Sequence, residues 1–347
     1  MSQQAPARPQ FTGNAPALRA LRAAITSGRL PHAYLFTGPP QVGKRTLALW
    51  LAQALLCERR RPGETEPCGE CRVCVRVAHG THPDVQAYSL ARQAQASART
   101  NASRELGIDT VREIVREIDL LPFEAERKVY LIEDADTLTE EAANGLLKTL
   151  EEPPSYATLI LLGVDDSSLP ETIRSRCAPV RLHAVATTEI EGLLRSRTQL
   201  PAETITRLAA LAEGRPGWAL QAASDSSLLE THDANVSALV EALRGGATAR
   251  LALAERMGKR WTAGHRDEVY ATLFDWLGFW RDVMLAAAHT SEGPAMHPSH
   301  QPELERLSAK GVETAGKAAS RTLEAVGHLD ANVNTRMTIE TLLLDLP

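Results

Sequence analysis

Apolar positions recur with two different periods along the chain, and the change between them divides it. Leu18, Leu21, Ala24 and Ile25 fall on one face of Ala15–Ser27, which predicts a short amphipathic helix ended by Gly28. AYLFT (33–37) reads as a buried strand, followed by the glycine-rich loop GPPQVGKRT and by TLALWLAQALLC, a helix. Residues 92–103 are rich in Ala, Gln, Ser and Thr with no apolar period and read as a mobile loop or insertion. A helix over 109–120 leads to KVYLIED (128–134), a second buried strand ending in two acids. Thr137-Leu138-Thr139-Glu140 has capping-box spacing and predicts a helix carrying Ala142, Ala143, Leu146, Leu147 and Leu150 on one face, stopped by Pro153-Pro154. ATLILLG (157–163) is the third strand. Strands alternating with helices predict a parallel α/β sheet over about the first 180 residues.

Beyond Leu182 the strand signals fade. Short helical segments run from Glu189 to Ala223, broken at Pro201 and at Gly214-Arg215-Pro216-Gly217. Longer helices follow, with Val269, Leu273, Trp276, Leu277 and Trp280 on one face and Thr338, Leu342 and Leu346 on another. Three of the five tryptophans lie between Trp261 and Trp280, so this part has its own aromatic core. Three domains are expected: 1–184, α/β; 185–226, small and helical; 227–347, larger and helical. The loop from His289 to His300, with Pro294, Pro298 and Ser299, reads as a flexible connector.

Composition adds mainly exclusions. The 347 residues are 44% apolar and 23% charged, as in folded globular proteins, and the net charge of −5 gives no support for a globally basic nucleic-acid binder. No segment approaches the roughly 20 apolar residues of a membrane span, and the start MSQQAPARPQ lacks the apolar core of a signal peptide, so a cytoplasmic protein without a membrane partner is expected.

Chemistry concentrates in three places. Cys68, Cys71 and Cys74 repeat the C-x-x-C spacing, and Cys57 supplies a fourth thiolate, so 57–74 predicts a closed Cys₄ site for a structural zinc ion. His79 and His82 rank below the cysteines as ligands. The loop after the first strand keeps Gly38, Gly43 and Lys44, the cradle and charge that a phosphate needs. The residue after the lysine should carry a hydroxyl for Mg²⁺, but Arg45 stands there and Thr46 comes one position late. The second strand should end in acids that hold the metal and polarise water, and here they read Glu133-Asp134. Binding of ATP with magnesium therefore stays open, and efficient hydrolysis is not expected.

SGRLPHAYLFTG (27–38), the cysteine module, NGLLKTLEEPP (144–154), LPETIR followed by Ser175-Arg176-Cys177, and the tail LDANVNTRMTIETLLLDL (329–346) together resemble the AAA+ subunits of the bacterial DNA polymerase III clamp loader, over essentially the whole chain. The resemblance implies a RecA-like domain with a zinc module, a small helical lid and a helical collar that closes a five-subunit ring. Two relatives share this plan, the gamma/tau motor and the non-hydrolysing delta-prime stator. The motor has a hydroxyl where Arg45 stands, Asp-Glu where Glu133-Asp134 stand, a threonine within the stretch matched by Leu162-Gly163-Val164, and an arginine where GRPGWAL places Gly217. All four departures resemble delta-prime. The same likeness implies that Arg176 reaches in trans to ATP held by a neighbouring subunit, and that gamma/tau and delta are partners, with the sliding clamp and primed DNA engaged through the assembly. Cys177, with no base beside it, reads as a packing residue. Two rival readings are an active gamma/tau-type ATPase and a zinc-dependent module for single-stranded DNA. Against the second, GETEPCGECRVC mixes acids with few bases and offers no aromatic ring for stacking.

Overall fold

Three strands made only of buried residues set the centre of the first part of the chain: β1 (Ala33–Thr37), β3 (Lys128–Ile132) and β4 (Ala157–Gly163). Strands buried on both faces read as continuous apolar runs, which is why the sequence showed these three. The computed structural model describes residues 9–96, 105–290, 296–331 and 333–347. It adds two edge strands, β2 (Val85–Tyr88) and β5 (Ala178–Arg181), giving a five-stranded parallel sheet in the order β2-β3-β4-β1-β5. Neither edge strand was predicted. β2 is four residues long with Gln86 and Ala87 half-buried, and β5 contains Pro179, which only an edge accepts readily.

Helices cover both faces. Side chains alternate along a strand, so Leu35, Tyr130, Ile132, Leu159 and Leu161 share a core with α5 (Ile108–Ile118) and α6 (Glu140–Glu151). The helix α5 contributes Val111, Ile114 and Ile118 at helical spacing. The helix α2 (Lys44–Leu56) is buried along most of its length and packs against β4, between α1 (Ala15–Ser27) and α3 (Arg72–Ala78). Gly28 ends α1 with φ 67, as its position in the pattern required.

Three local expectations change. The Ala/Gln/Ser-rich segment begins as a helix, α4 (Leu90–Ala96); 97–104 lie outside the described residues. The cap of α6 is Thr139, whose side chain accepts from the Ala142 amide, not Thr137. Leu138 forms a bridge with Leu106, and the Leu106 amide bonds the Thr137 carbonyl at 3.0 Å, which leaves 135–137 as a separate 3₁₀ turn. The second strand stops at Ile132, because Asp134 turns into the left-handed region with φ 54.

Two compact units emerge, one of Met1–Leu193 with Gly214–Gly217, the other of Leu194–Glu213 with Trp218–Pro347. After α7 (Glu171–Arg174) and β5 the chain is helical: α8 (Thr187–Arg197), α9 (Ala202–Leu211), α10 (Pro216–Ser224), α11 (Ser226–Arg244), α12 (Gly246–Thr262), α13 (Arg266–Ala287), α14 (Gln301–Ser308), α15 (Val312–Asp330) and α16 (Thr335–Asp345). Val269, Leu273, Trp276, Phe279 and Trp280 of α13 anchor the core of the second unit, joined by Leu342 and Leu346. No described helix is long and apolar enough to cross a membrane.

Candidate functional site: a cleft at the strand ends

Parallel register sets Thr37 opposite Gly163 and Ile132 opposite Leu161, so β1, β3 and β4 open their C-terminal ends on one edge. That edge is where open α/β sheets bind ligands. A cleft of about 470 Å³ lies there, lined by Gly43, Lys44, Arg45 and Thr46 from the glycine-rich loop and by Glu133, Asp134 and Asp136 from the turn after β3. Pro40, Gln41, Leu162, Gly163, Val164 and Gly217 complete it. Arg45, Glu133, Asp134, Gly163 and Gly217, scattered from position 45 to 217, thus face one cavity.

The loop is a cradle by backbone geometry. Gly38 has φ 147, and a β-carbon there would come within 2.3 Å of the Leu182 carbonyl oxygen, so only glycine fits. Lys44 lines the cleft but spends its ammonium on its own loop. Its Nζ donates to the Gly38 and Pro39 carbonyls at 2.5 and 2.9 Å. Burial holds the Lys44 pKa below the ordinary lysine value, while Asp136 and Asp134 pull it back up. Arg45 Nε donates to Glu133 Oε1 at 2.6 Å, so the cation in the hydroxyl's place engages one of the cleft acids. Asp134, also on the cleft, accepts the Leu90 amide on Oδ2 at 3.2 Å. Gly217 donates its amide to the Gln41 carbonyl at 3.0 Å, and a β-carbon there would meet that oxygen at 2.9 Å. No side chain can rise from this position without shifting the loop. At Gly163 a β-carbon would meet nothing nearer than 3.7 Å, so that glycine answers to no packing demand.

The cysteines also converge. The Sγ atoms of Cys57, Cys68, Cys71 and Cys74 all lie within 4.8 Å of one another, with Cys57 to Cys71 and Cys68 to Cys74 each at 4.0 Å. A zinc–sulfur bond of about 2.3 Å puts tetrahedral sulfurs about 3.8 Å apart, so the set fits such an ion. Backbone amides of Glu70 and Cys71 point at the Cys68 sulfur at 3.4 and 3.2 Å. Burial works to raise the Cys68 thiol, yet these amides, with the Cys71 and Cys57 side chains, bring it down to about 7. Burial pushes the Cys57 and Cys74 thiols up, a cost that a bound dication removes. His79 and His82 stand apart from this cluster. His79 Nδ1 lies 2.7 Å from the Val75 carbonyl, and buried His82 accepts from the Asp84 amide.

Residues 13–186 match a family model described as DNA polymerase III, delta subunit. The chain belongs to that family. It is 38% identical over 186 residues to DNA polymerase III subunit delta' of Pseudomonas aeruginosa, covering 53% of this chain and 53% of that protein. It is also 34% identical over 203 residues to subunit tau/gamma of Haemophilus influenzae, covering 57% of this chain and 27% of that one. The chain spans about half or less of the length of these curated relatives. Among solved structures it resembles a DNA polymerase III gamma subunit-related protein from Thermotoga maritima, with 17% identity, a TM-score of 0.41, and coverage of 94% of this chain and 97% of the other.

In this member of the DNA polymerase III delta family, Arg176 follows α7 and lies outside the cleft lining. Its guanidinium pairs with Glu151, and Nη1 donates to the Thr172 carbonyl at 2.9 Å. Cys177 beside it is a core residue whose thiol burial pushes up to about 12. Sequence reasoning passed over Asp136, a cleft acid hidden in a turn. It also passed over Thr37 and Arg181, which bond the two carboxylate oxygens of Asp166 at 2.5 and 2.6 Å and tie the ends of β1 and β5 to the segment after β4. None of these has a motif spacing to betray it.

Proposed function

We propose that this chain is the delta-prime, or stator, subunit of the DNA polymerase III clamp loader, a subunit that does not hydrolyse ATP and donates Arg176 to ATP held by a neighbouring gamma/tau subunit. The observation that carries the reading is the Arg45–Glu133 pair inside the cleft, which sets a guanidinium and its counter-ion where a motor needs a hydroxyl-bound metal and a catalytic acid. Gly163 and Gly217 on the same cavity support it, since neither supplies a polar side chain to a terminal phosphate. The family membership supports the assembly, with gamma/tau and delta as partners and the sliding clamp and primed DNA engaged through the complex. On this reading 1–184 is the AAA+ domain, 185–226 the lid and 227–347 the collar. Zinc held by Cys57, Cys68, Cys71 and Cys74 braces the first of these, and the complex works in the cytoplasm. Gly38, Gly43, Lys44 and Thr46 survive as architecture able to accept a phosphate once Lys44 leaves its carbonyl partners.

The retained lysine and the tau/gamma relatives favour a second reading, an active gamma/tau-type ATPase. Phosphate release by the purified full chain with Mg-ATP separates the two. The stator turns over no ATP alone, and a rate comparable to a gamma/tau preparation assayed in parallel overturns it.

A further inference from the structure

The second unit buries a run of ionisable side chains that the cleft does not use. His232 of α11 sets Nδ1 2.7 Å from Asp275 Oδ1, and His297 sets Nδ1 2.9 Å from Asp282 Oδ2. Both acids have further donors. Asp275 Oδ2 accepts from Asn235 Nδ2 at 2.7 Å, and Asp282 Oδ2 accepts the Met296 and His297 amides at 2.8 and 3.2 Å. A carboxylate only accepts, so each Nδ1 must carry a hydrogen. The two Nε2 atoms then face each other at 3.0 Å, with the rings inclined by 23° and their centroids 5.0 Å apart, an edge-to-edge meeting. Were both rings neutral, two bare lone pairs would confront each other at hydrogen-bond distance in a buried site. One more proton turns that repulsion into a hydrogen bond.

We propose that His232 and His297 form a buried proton-binding site, an imidazolium and an imidazole sharing one proton between two aspartates, which latches residues 296–300 onto α11 and α13. The environment decides which ring is charged. His297 is fully buried, and burial holds its pKa below the ordinary histidine value; Asp282 opposes this, while His232 and Arg207 add to it. His297 is therefore the ring that accepts the shared proton. The other charged groups around them are accounted for. Arg207 of α9 pairs with Asp233 and donates to the Met296 carbonyl at 3.2 Å. Arg281 of α13 lies 3.9 Å from Asp282. Arg244 of α11 and Arg306 of α14 both hold buried Glu303. His300 faces Ser237 Oγ at 3.3 Å, its pKa held down mainly by burial.

Two rings so coupled titrate as a pair, in two steps pushed apart. The shared proton leaves in the upper step, and the second enters in the lower one. The latch therefore holds between the two steps. Its stability is lost as pH rises through the upper step, where the native state gives up a bound proton, and again as pH falls through the lower one, where His297 must be charged.

The test uses the full chain loaded with one equivalent of zinc and carrying ring-¹⁵N histidine, read by long-range ¹H–¹⁵N spectra across about pH 5 to 9. At about pH 7.5 an ordinary histidine is about one-tenth charged. There one ring should read as imidazolium and its partner as neutral with a bare Nε2, and Asp275→Asn should shift the upper step down by about a unit or more. Two neutral rings at that pH, or an Asp275→Asn chain whose titration does not move, overturn the proposal. So does a second equivalent of Zn²⁺ that displaces the proton and shifts both rings, which makes the pair a metal site instead. If Asp275→Asn does not fold, the charge state of the two rings in the unmodified chain decides by itself.

Discussion

Arg45 shows how one side chain changes what a cleft can hold. At that position a hydroxyl leaves room for a metal ion, whereas the guanidinium brings its own positive charge and takes Glu133 as its partner. The arginine side chain is 57% exposed, so the pair adds at most about 1 kcal/mol to stability, and its effect falls on the ligand instead. Arg45→Thr should leave the thermal midpoint within about 2 °C and tighten Mg-ATP binding several-fold by calorimetry. Turnover should stay absent, because Gly163 and Gly217 still offer no side chain to a terminal phosphate. Motor-level phosphate release by this variant would mean that Arg45 alone holds the chemistry back.

Short elements around the cysteines are held by polar staples as well as by buried area. The helix α3 has seven residues, too few to persist alone, and its Arg76 pairs with Glu124 beyond α5. Asp84, almost wholly buried before β2, accepts the amides of Phe123, Glu124 and Ala125 at 2.6 to 2.9 Å. Burial works to raise its carboxyl, and the three amides outweigh this and hold it below the ordinary value. A depressed carboxylate stabilises the fold above its unfolded value of about 3.9, and that contribution fades as pH falls through the folded value. Asp84→Asn should cost about 1.5–3 kcal/mol at neutral pH in urea titrations, and the gap to the unmodified chain should narrow below about pH 4. A gap that persists in acid would assign the loss to packing.

Metal removal acts on the same elements. The purified chain should carry one zinc ion, and chelation, or Cys74→Ser, should abolish it and lower the thermal midpoint while far-ultraviolet dichroism keeps most of its helix signal. The sheet core at Leu159 and Tyr130 is packed without Cys57, Cys68, Cys71 or Cys74, which is why the loss should stay local. A chain that still holds one equivalent after Cys74→Ser would contradict the four-sulfur site.

At the scale of the whole molecule, Arg176 sits outside the cleft of its own chain, held by Glu151 and by the carbonyl of Thr172. Its proposed chemistry exists only across a subunit boundary. In a complex reconstituted with gamma/tau and delta, Arg176→Ala should lower ATP turnover at the site it serves by about 10³-fold or more, with assembly unchanged by gel filtration. Unaltered turnover would remove the assignment.

The central strands, the amphipathic helices and the cysteine set were legible in the sequence because each repeats a local period: alternate or continuous burial, helical spacing, C-x-x-C. The edge strands were not, since an edge strand such as Ala178–Arg181 tolerates proline and keeps little apolar signal. The loop from His289 was read as a flexible connector, and that reading fails for its described part. His297 is buried against Asp282 and His232, while 291–295 lie outside the described residues. Nothing local announces a contact between residues 65 apart. By itself, then, the sequence determined the central strands, the amphipathic helices and the cysteine set, and showed four places that differ from the motor it resembles, because those are properties of spacing and residue type. Only the tertiary structure decided that the four departures share one cavity, that Arg45 closes on Glu133, and that Lys44 turns back on its own loop. Convergence of that kind is made by strand register and chain reversal, which no local pattern encodes.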